Sequence, residues 1–155
     1  MRIKDCEIKE ETVIEIVKFA VLWNEFENTF CGNSCNYKKL KMAAPHVRID
    51  DRQQKELAEV FAYRSRLGEM LLADYVKTGL YPHNAKRPQT EEEERQAMEA
   101  FIKRQEGDQT LGCLMAIYRI RCNMMHGLKG IEELDGQYAL FKAANYVLEN
   151  ASIKE

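Results

Sequence analysis

The sequence predicts an all-α fold, a single helical bundle of four long helices plus one shorter helix. Three observations carry that prediction. Apolar residues recur at steps of three and four through long blocks, the period of a helix with one buried stripe. No segment keeps the sustained alternation of a half-buried strand. Most of the 8 glycines and 3 prolines among the 155 residues fall between the periodic blocks, where they end helices.

The first helix runs from about Glu10 to Phe30, with Ile16, Phe19, Trp23, Phe26 and Phe30 on one stripe, and Gly32, Asn33 and Ser34 end it. Residues 36–49 read as a connector in which Pro45 breaks any helix. A second long helix opens at Asp50-Asp51, whose carboxylates suit an N-cap or a first turn. Its stripe includes Leu57, Val60, Phe61, Leu67, Leu71 and Tyr75, and Gly79 stops it. Residues 79–90, with Pro82 and Pro88, read as a long loop. Thr90 followed by Glu93 is a capping-box pattern that opens a short acidic helix to about Gln105, with Glu91 to Glu94 as a solvated first turn. Gly107-Asp108 leads into a fourth helix with Leu111, Leu114, Met115, Tyr118, Cys122 and Met125 along one face and Gly127 as its terminator. The last helix, about Ile131 to Asn150, packs through Leu134, Tyr138, Phe141 and Leu148.

Composition narrows the functional classes. Apolar residues make up 45% and charged residues 31%, the mix of an ordinary globular protein long enough for one core. The 23 Lys and Arg against 25 Asp and Glu leave a net charge of −2, which excludes a strongly basic nucleic-acid coat but not a local basic patch. The apolar run Phe19 to Asn24 is far short of a membrane span and no signal core follows the N-terminus, so a cytoplasmic chain with no membrane partner is expected. Five cysteines, an odd number without a secretory signal, read as reduced thiols. Cys31 and Cys35 form the one close pair, and with only His46 nearby they match no zinc pattern, so neither a metal nor a cofactor is expected.

Histidine is the usual side chain for proton transfer near neutral pH, and the chain has three. His46 and His83 each sit beside a proline in a loop and read as surface residues. His126 differs, because it closes the string Tyr118-Arg119-Ile120-Arg121-Cys122-Asn123-Met124-Met125-His126-Gly127 at the end of the fourth helix. Arginine offers a permanent charge and a fork of donors matched to phosphate oxygens, histidine moves protons, and asparagine can fix either by hydrogen bonding. Together they suit metal-independent cleavage of a phosphodiester by an internal ribose 2′-hydroxyl. A plainer reading has the cations capping the negative end of the helix. On an ideal helix Arg121 and His126 point about 140° apart, whereas Arg119, Asn123 and His126 share a face. Either the helix distorts before Gly127 or Arg121 completes the site from a second subunit.

The string from Arg121 to Gly127, late in an all-α chain of this size, resembles the Arg-Asn-x-x-x-His-Gly signature of the HEPN superfamily (higher eukaryotes and prokaryotes nucleotide-binding domains). The bundle, with its Trp- and Phe-rich first helix, is similar as well. The resemblance implies one HEPN-like domain over residues 1–155 and a metal-independent endoribonuclease of toxin or antiphage-defence type. It further implies a homodimer whose two motifs share one composite cleft, RNA as substrate, and an antitoxin or effector as a possible partner. Arg121 and His126 match the two ends of the motif and Asn123 its asparagine, with Arg119 as support for the substrate phosphate. Many members carry Asn directly after the Arg, where this chain has Cys122, and the Tyr two places after the His is Leu128 here. The alternative is a non-catalytic HEPN-like module that binds a nucleotide or a protein.

Other residues are candidates for the same site. Arg64 falls within the apolar stripe of the second helix, buried or at its edge, and Glu27 beside that of the first, so each is expected to be partnered. The plainer reading is a structural ion pair or snorkelling to solvent, and the functional one has Glu27 orient Arg121 or His126. Lys38, Lys39, Lys41 and Arg48 form an acid-free basic stretch with Tyr37 as a possible stacking platform, and Lys129 adds charge beside His126. These are the expected RNA contacts, while Met124, Met125 and Leu128 are the expected apolar flank of a dimer interface.

Overall fold

In the computed structural model the described residues are 1–73, 88–125, 130 and 133–154. Helix α1 (Glu10–Phe30) matches the periodic block. Glu10 and Glu11 in its first turn complement the positive end of the helix, and Gly32, at φ +87°, reverses the chain just beyond its end.

Two expectations for the next segment are corrected. The connector contains a helix, α2 (Tyr37–Ala43), because the Asn36 side chain accepts a hydrogen bond from the Lys39 N–H at 2.9 Å and so caps it. Pro45 lies past its end, in a 3-10 turn over Ala44–His46, so it stops α2 without preventing it. The second long helix is in fact two, α3 (Asp51–Arg64) and α4 (Arg66–Leu72). Asp50 caps α3 by accepting from the Gln53 N–H at 3.0 Å. Ser65 is extended (φ −111°, ψ 133°), and its hydroxyl accepts from the Gly68 N–H at 3.3 Å, capping α4. The kink packs α4 so tightly that a Cβ on Gly68 would lie 1.8 Å from the Phe61 carbonyl oxygen. Tyr75, Gly79, Pro82 and His83 lie outside the described residues.

Helix α5 (Pro88–Ile102) begins before Thr90 and ends before Gln105. Its first residue is a proline, whose missing N–H costs no hydrogen bond there, so Thr90 sits inside the first turn and not at the cap. Helix α6 (Thr110–Met125) is entered through Gly107, at φ +107°, and Asp108, whose carboxylate accepts from the Thr110 N–H at 2.8 Å. Helix α7 (Tyr138–Asn150) starts later than expected, after a 3-10 turn over Asp135–Gln137. The Asp135 carboxylate accepts from the backbone N–H of Lys9 at 3.0 Å and ties that turn to the start of α1. Two antiparallel pairs of two-residue strands complete the described fold. They are β1 (Arg2–Ile3) with β2 (Cys6–Glu7), and β3 (Val47–Arg48) with β4 (Ser152–Ile153).

The core is organised around α6. Residues 113–117 have no solvent exposure, so this helix is covered all round and not along one face. Helix α5 lies against it at close range, with a Cβ on Gly112 falling 2.1 Å from the Ala97 carbonyl oxygen. Helix α1 packs on α7, where Phe19 and Phe141 meet edge to face at 5.4 Å. Asn145 locks this pair by donating to the Glu15 carboxylate at 2.7 Å and to its carbonyl at 2.9 Å. No described helix is long and apolar enough to cross a membrane.

Candidate functional site

The polar residues near the end of α6 divide into two kinds. Arg119 is 5% exposed and donates from its guanidinium to Glu94 Oε2 of α5 at 2.7 Å, with Glu94 itself 6% exposed. Two expectations change. The run Glu91 to Glu94 is not wholly solvated, because Glu94 lies on the inward row of α5 with Met98 and Phe101, both fully buried. Arg119 is not a free phosphate ligand, because a buried charge needs its partner and Glu94 is that partner. Its guanidinium also lies 5.0 Å from the centre of the Tyr118 ring. Burial pushes the Tyr118 hydroxyl up to about 12, and its hydrogen bond with Cys122 acts in the same direction.

Arg121, two residues on, is half-buried and has no acidic partner among the described residues. Asn123, one turn beyond Arg119, is 8% exposed, and its Oδ1 is buried without a hydrogen-bond partner among the described residues. His126 and Lys129 lie outside the described residues, as do Gly127 and Leu128. Met124 packs against the core and so offers less to a dimer than an exposed flank would.

Glu27 serves the turn that follows α1, and the expectation that it orients His126 falls on a residue outside those described. Its carboxylate accepts from the Cys35 N–H at 2.8 Å, and among the described residues it forms no ion pair with Arg121. Cys31 and Cys35, expected as reduced thiols, are joined in a disulfide with their Cα atoms 5.4 Å apart, because the turn at Gly32 folds the chain back on the end of α1. Cys6, Cys113 and Cys122 remain free. Arg64 is exposed at the edge of the stripe, since it is the last residue of α3 and its long side chain reaches solvent, as the plainer reading expects.

The expected RNA edge is partly used internally. Lys38, Lys41 and Arg48 are exposed and Lys39 is half-buried. Tyr37, however, is 9% exposed and hydrogen-bonded to Glu93, with burial pushing its hydroxyl up to about 12, so it presents no ring for a base. Lys41 Nζ lies 3.9 Å from the same carboxylate. The stretch is free of acids only along the chain, and α5 brings Glu93 to it. His46 is exposed, as expected. Among the described residues no three His, Cys, Asp or Glu side chains gather as a metal site.

The residue that the sequence reading missed is Glu94. Its signal was present: it precedes Met98 by four positions and Phe101 by seven, which places it on the apolar row of α5. Comparison with known proteins adds no likeness, since no family model, curated protein or solved structure matches the chain.

Proposed function

We propose that the chain is a metal-independent endoribonuclease of the HEPN type that works as a homodimer, in a toxin or antiphage-defence role. The observation that carries this reading is the separation of the two arginines. Glu94 neutralises Arg119 inside the fold, whereas Arg121, which matches the arginine of the motif, is half-exposed with no acidic partner among the described residues. In the proposed reaction the ribose 2′-oxygen attacks the adjacent phosphorus and the bond to the 5′-oxygen breaks, leaving a 2′,3′-cyclic phosphate. His126 moves the proton from the 2′-hydroxyl towards the leaving oxygen, and Arg121 stabilises the charge that develops on the phosphate. Asn123 orients one of the two. Lys38, Lys39, Lys41, Arg48 and Lys129 supply the positive edge that draws RNA in.

The test is cleavage of a labelled RNA in the presence of a chelator. His126→Ala is expected to lose about 10²- to 10⁴-fold in rate with its helical spectrum intact. Arg121→Lys is expected to fare little better than Arg121→Ala, because a point charge does not reproduce the guanidinium fork. Cleavage that requires a divalent metal, or full activity in His126→Ala, defeats the mechanism. RNA or nucleotide binding without any cleavage supports the non-catalytic binding module instead. A monomer at micromolar concentration in the ultracentrifuge removes the composite cleft.

A further inference from the structure

The Cys31–Cys35 bridge closes the turn between α1 and α2. Cys31 follows the last residue of α1, and Cys35 precedes Asn36, the residue that caps α2. Gly32, Asn33 and Ser34 between them are exposed, and a Cβ on Gly32 would meet no atom within 4 Å. The turn therefore has room to lift. Cys6, Cys113 and Cys122 in the same chain are free thiols. In a compartment that keeps most thiols reduced, a disulfide is usually transient and serves redox chemistry or sensing.

What the bridge holds is a helix that does not stand alone. Helix α2 has seven residues, and isolated helices shorter than about 12–15 residues are marginal in water. It is kept in place by Leu40 and Ala43 buried in the core, by the Tyr37 hydrogen bond to Glu93 of α5, and by its packing on α6. Its entry is fixed twice, by the bridge and by Glu27, whose carboxylate accepts from the Cys35 N–H. A short helix held by few contacts is the kind of element that opens locally ahead of the rest of a fold. A cross-link at one end shrinks the set of open conformations and so opposes that opening.

We propose that Cys31–Cys35 is a reversible redox site, opened by a dithiol reductant, and that its state sets how firmly α2 is held. A thiolate of the dithiol attacks one bridge sulfur, the S–S bond breaks and a mixed disulfide forms. The second thiol of the reductant then displaces the protein sulfur. The bridge gains two electrons and two protons to become two thiols, and the dithiol leaves as its own disulfide. Cys31 and Cys35 are 7% and 6% exposed, so the turn has to lift before attack and reduction is slow. The bundle survives reduction because the bridge encloses only residues 32–34, and the Phe19–Phe141 contact of α1 with α7 lies outside that loop. Glu27 keeps Cys35 beside the end of α1 in the reduced chain, so the two thiols stay placed to close again. Helix α2 carries Lys38, Lys39 and Lys41, and only this bearing on RNA rests on the proposed function.

The test is hydrogen–deuterium exchange of the full chain, read by mass spectrometry before and after millimolar dithiothreitol without denaturant. Alkylation of the reduced sample is expected to mark Cys31 and Cys35. Exchange over Tyr37–Ala43 should quicken about tenfold or more, set against the roughly thirtyfold that chain entropy gives for so short a loop. Residues 113–117 of α6 keep their protection, and oxidised glutathione restores the slow exchange of α2. Cys31→Ser with Cys35→Ser exchanges like the reduced chain and does not respond to the dithiol. Equal exchange of α2 in both states, a bridge that yields only in denaturant, or loss of protection throughout the bundle on reduction overturns the inference. Cleavage of RNA plays no part in the readout, so failure of the nuclease reading leaves this result standing.

Discussion

Cutting the Glu94–Arg119 pair from either side should be the most damaging polar substitution in the bundle. Both side chains are more than nine-tenths buried, and the contact spans α5 and α6 at 2.7 Å. Glu94→Ala removes from the guanidinium, and Arg119→Ala from the carboxylate, the partner that meets it at 2.7 Å in a nearly water-free site. Removing one partner of a buried pair costs about 3–5 kcal/mol, a large part of the roughly 5–15 kcal/mol by which a domain is stable. In a domain of this size each kcal/mol corresponds to about 2–4 °C, so either variant should melt roughly 6–20 °C lower. The combined change Glu94→Leu with Arg119→Met removes both charges and should cost less than either single substitution, because each single keeps a buried charge without its opposite across the α5–α6 contact. Urea unfolding followed by circular dichroism, with equal slopes required across the set, gives all four free energies. Single variants within about 1 kcal/mol of the parent, or a double variant equal to the sum of the singles, would refute the argument.

Two further outcomes follow from packing and from the disulfide. Gly112→Ala sets a Cβ 2.1 Å from the Ala97 carbonyl oxygen and 2.6 Å from the Phe101 Cβ, so α5 and α6 must separate, at about 1–3 kcal/mol or more. Gly136→Ala, with no atom within 4 Å of the added carbon, should be near neutral in the same denaturation assay, and equal costs for the two would sink the close-approach argument. The Cys31–Cys35 bridge closes a short loop, for which chain entropy gives about 2 kcal/mol of stabilisation. Thiol titration of the denatured, unreduced chain should find only Cys6, Cys113 and Cys122, and all five cysteines titrating would show the bridge to be absent.

Features that depend on a few neighbouring residues were legible in the chain. The stripe from Ile16 to Phe30 determined α1, and Gly107-Asp108 determined the entry to α6, since periodicity and capping act within one or two turns. Asn36 before Tyr37 was a cap of the same local kind, outweighed in the reading by Pro45. The break at Ser65 was less legible, because Leu67 and Leu71 continue the apolar row across a single extended residue and periodicity is blind to so short an interruption. The polar residues divide along the same line. That Arg119, Arg121 and Asn123 crowd one helix end was plain from their order, as was the match of Arg121 to the motif. Which arginine is spent and which is left over was decided by α5, which carries Glu94 to Arg119 and Glu93 to Tyr37 and Lys41. Helical propensity and capping are written in adjacent residues, whereas the partner of a buried charge is chosen by which helix covers it, and only the packed chain makes that choice.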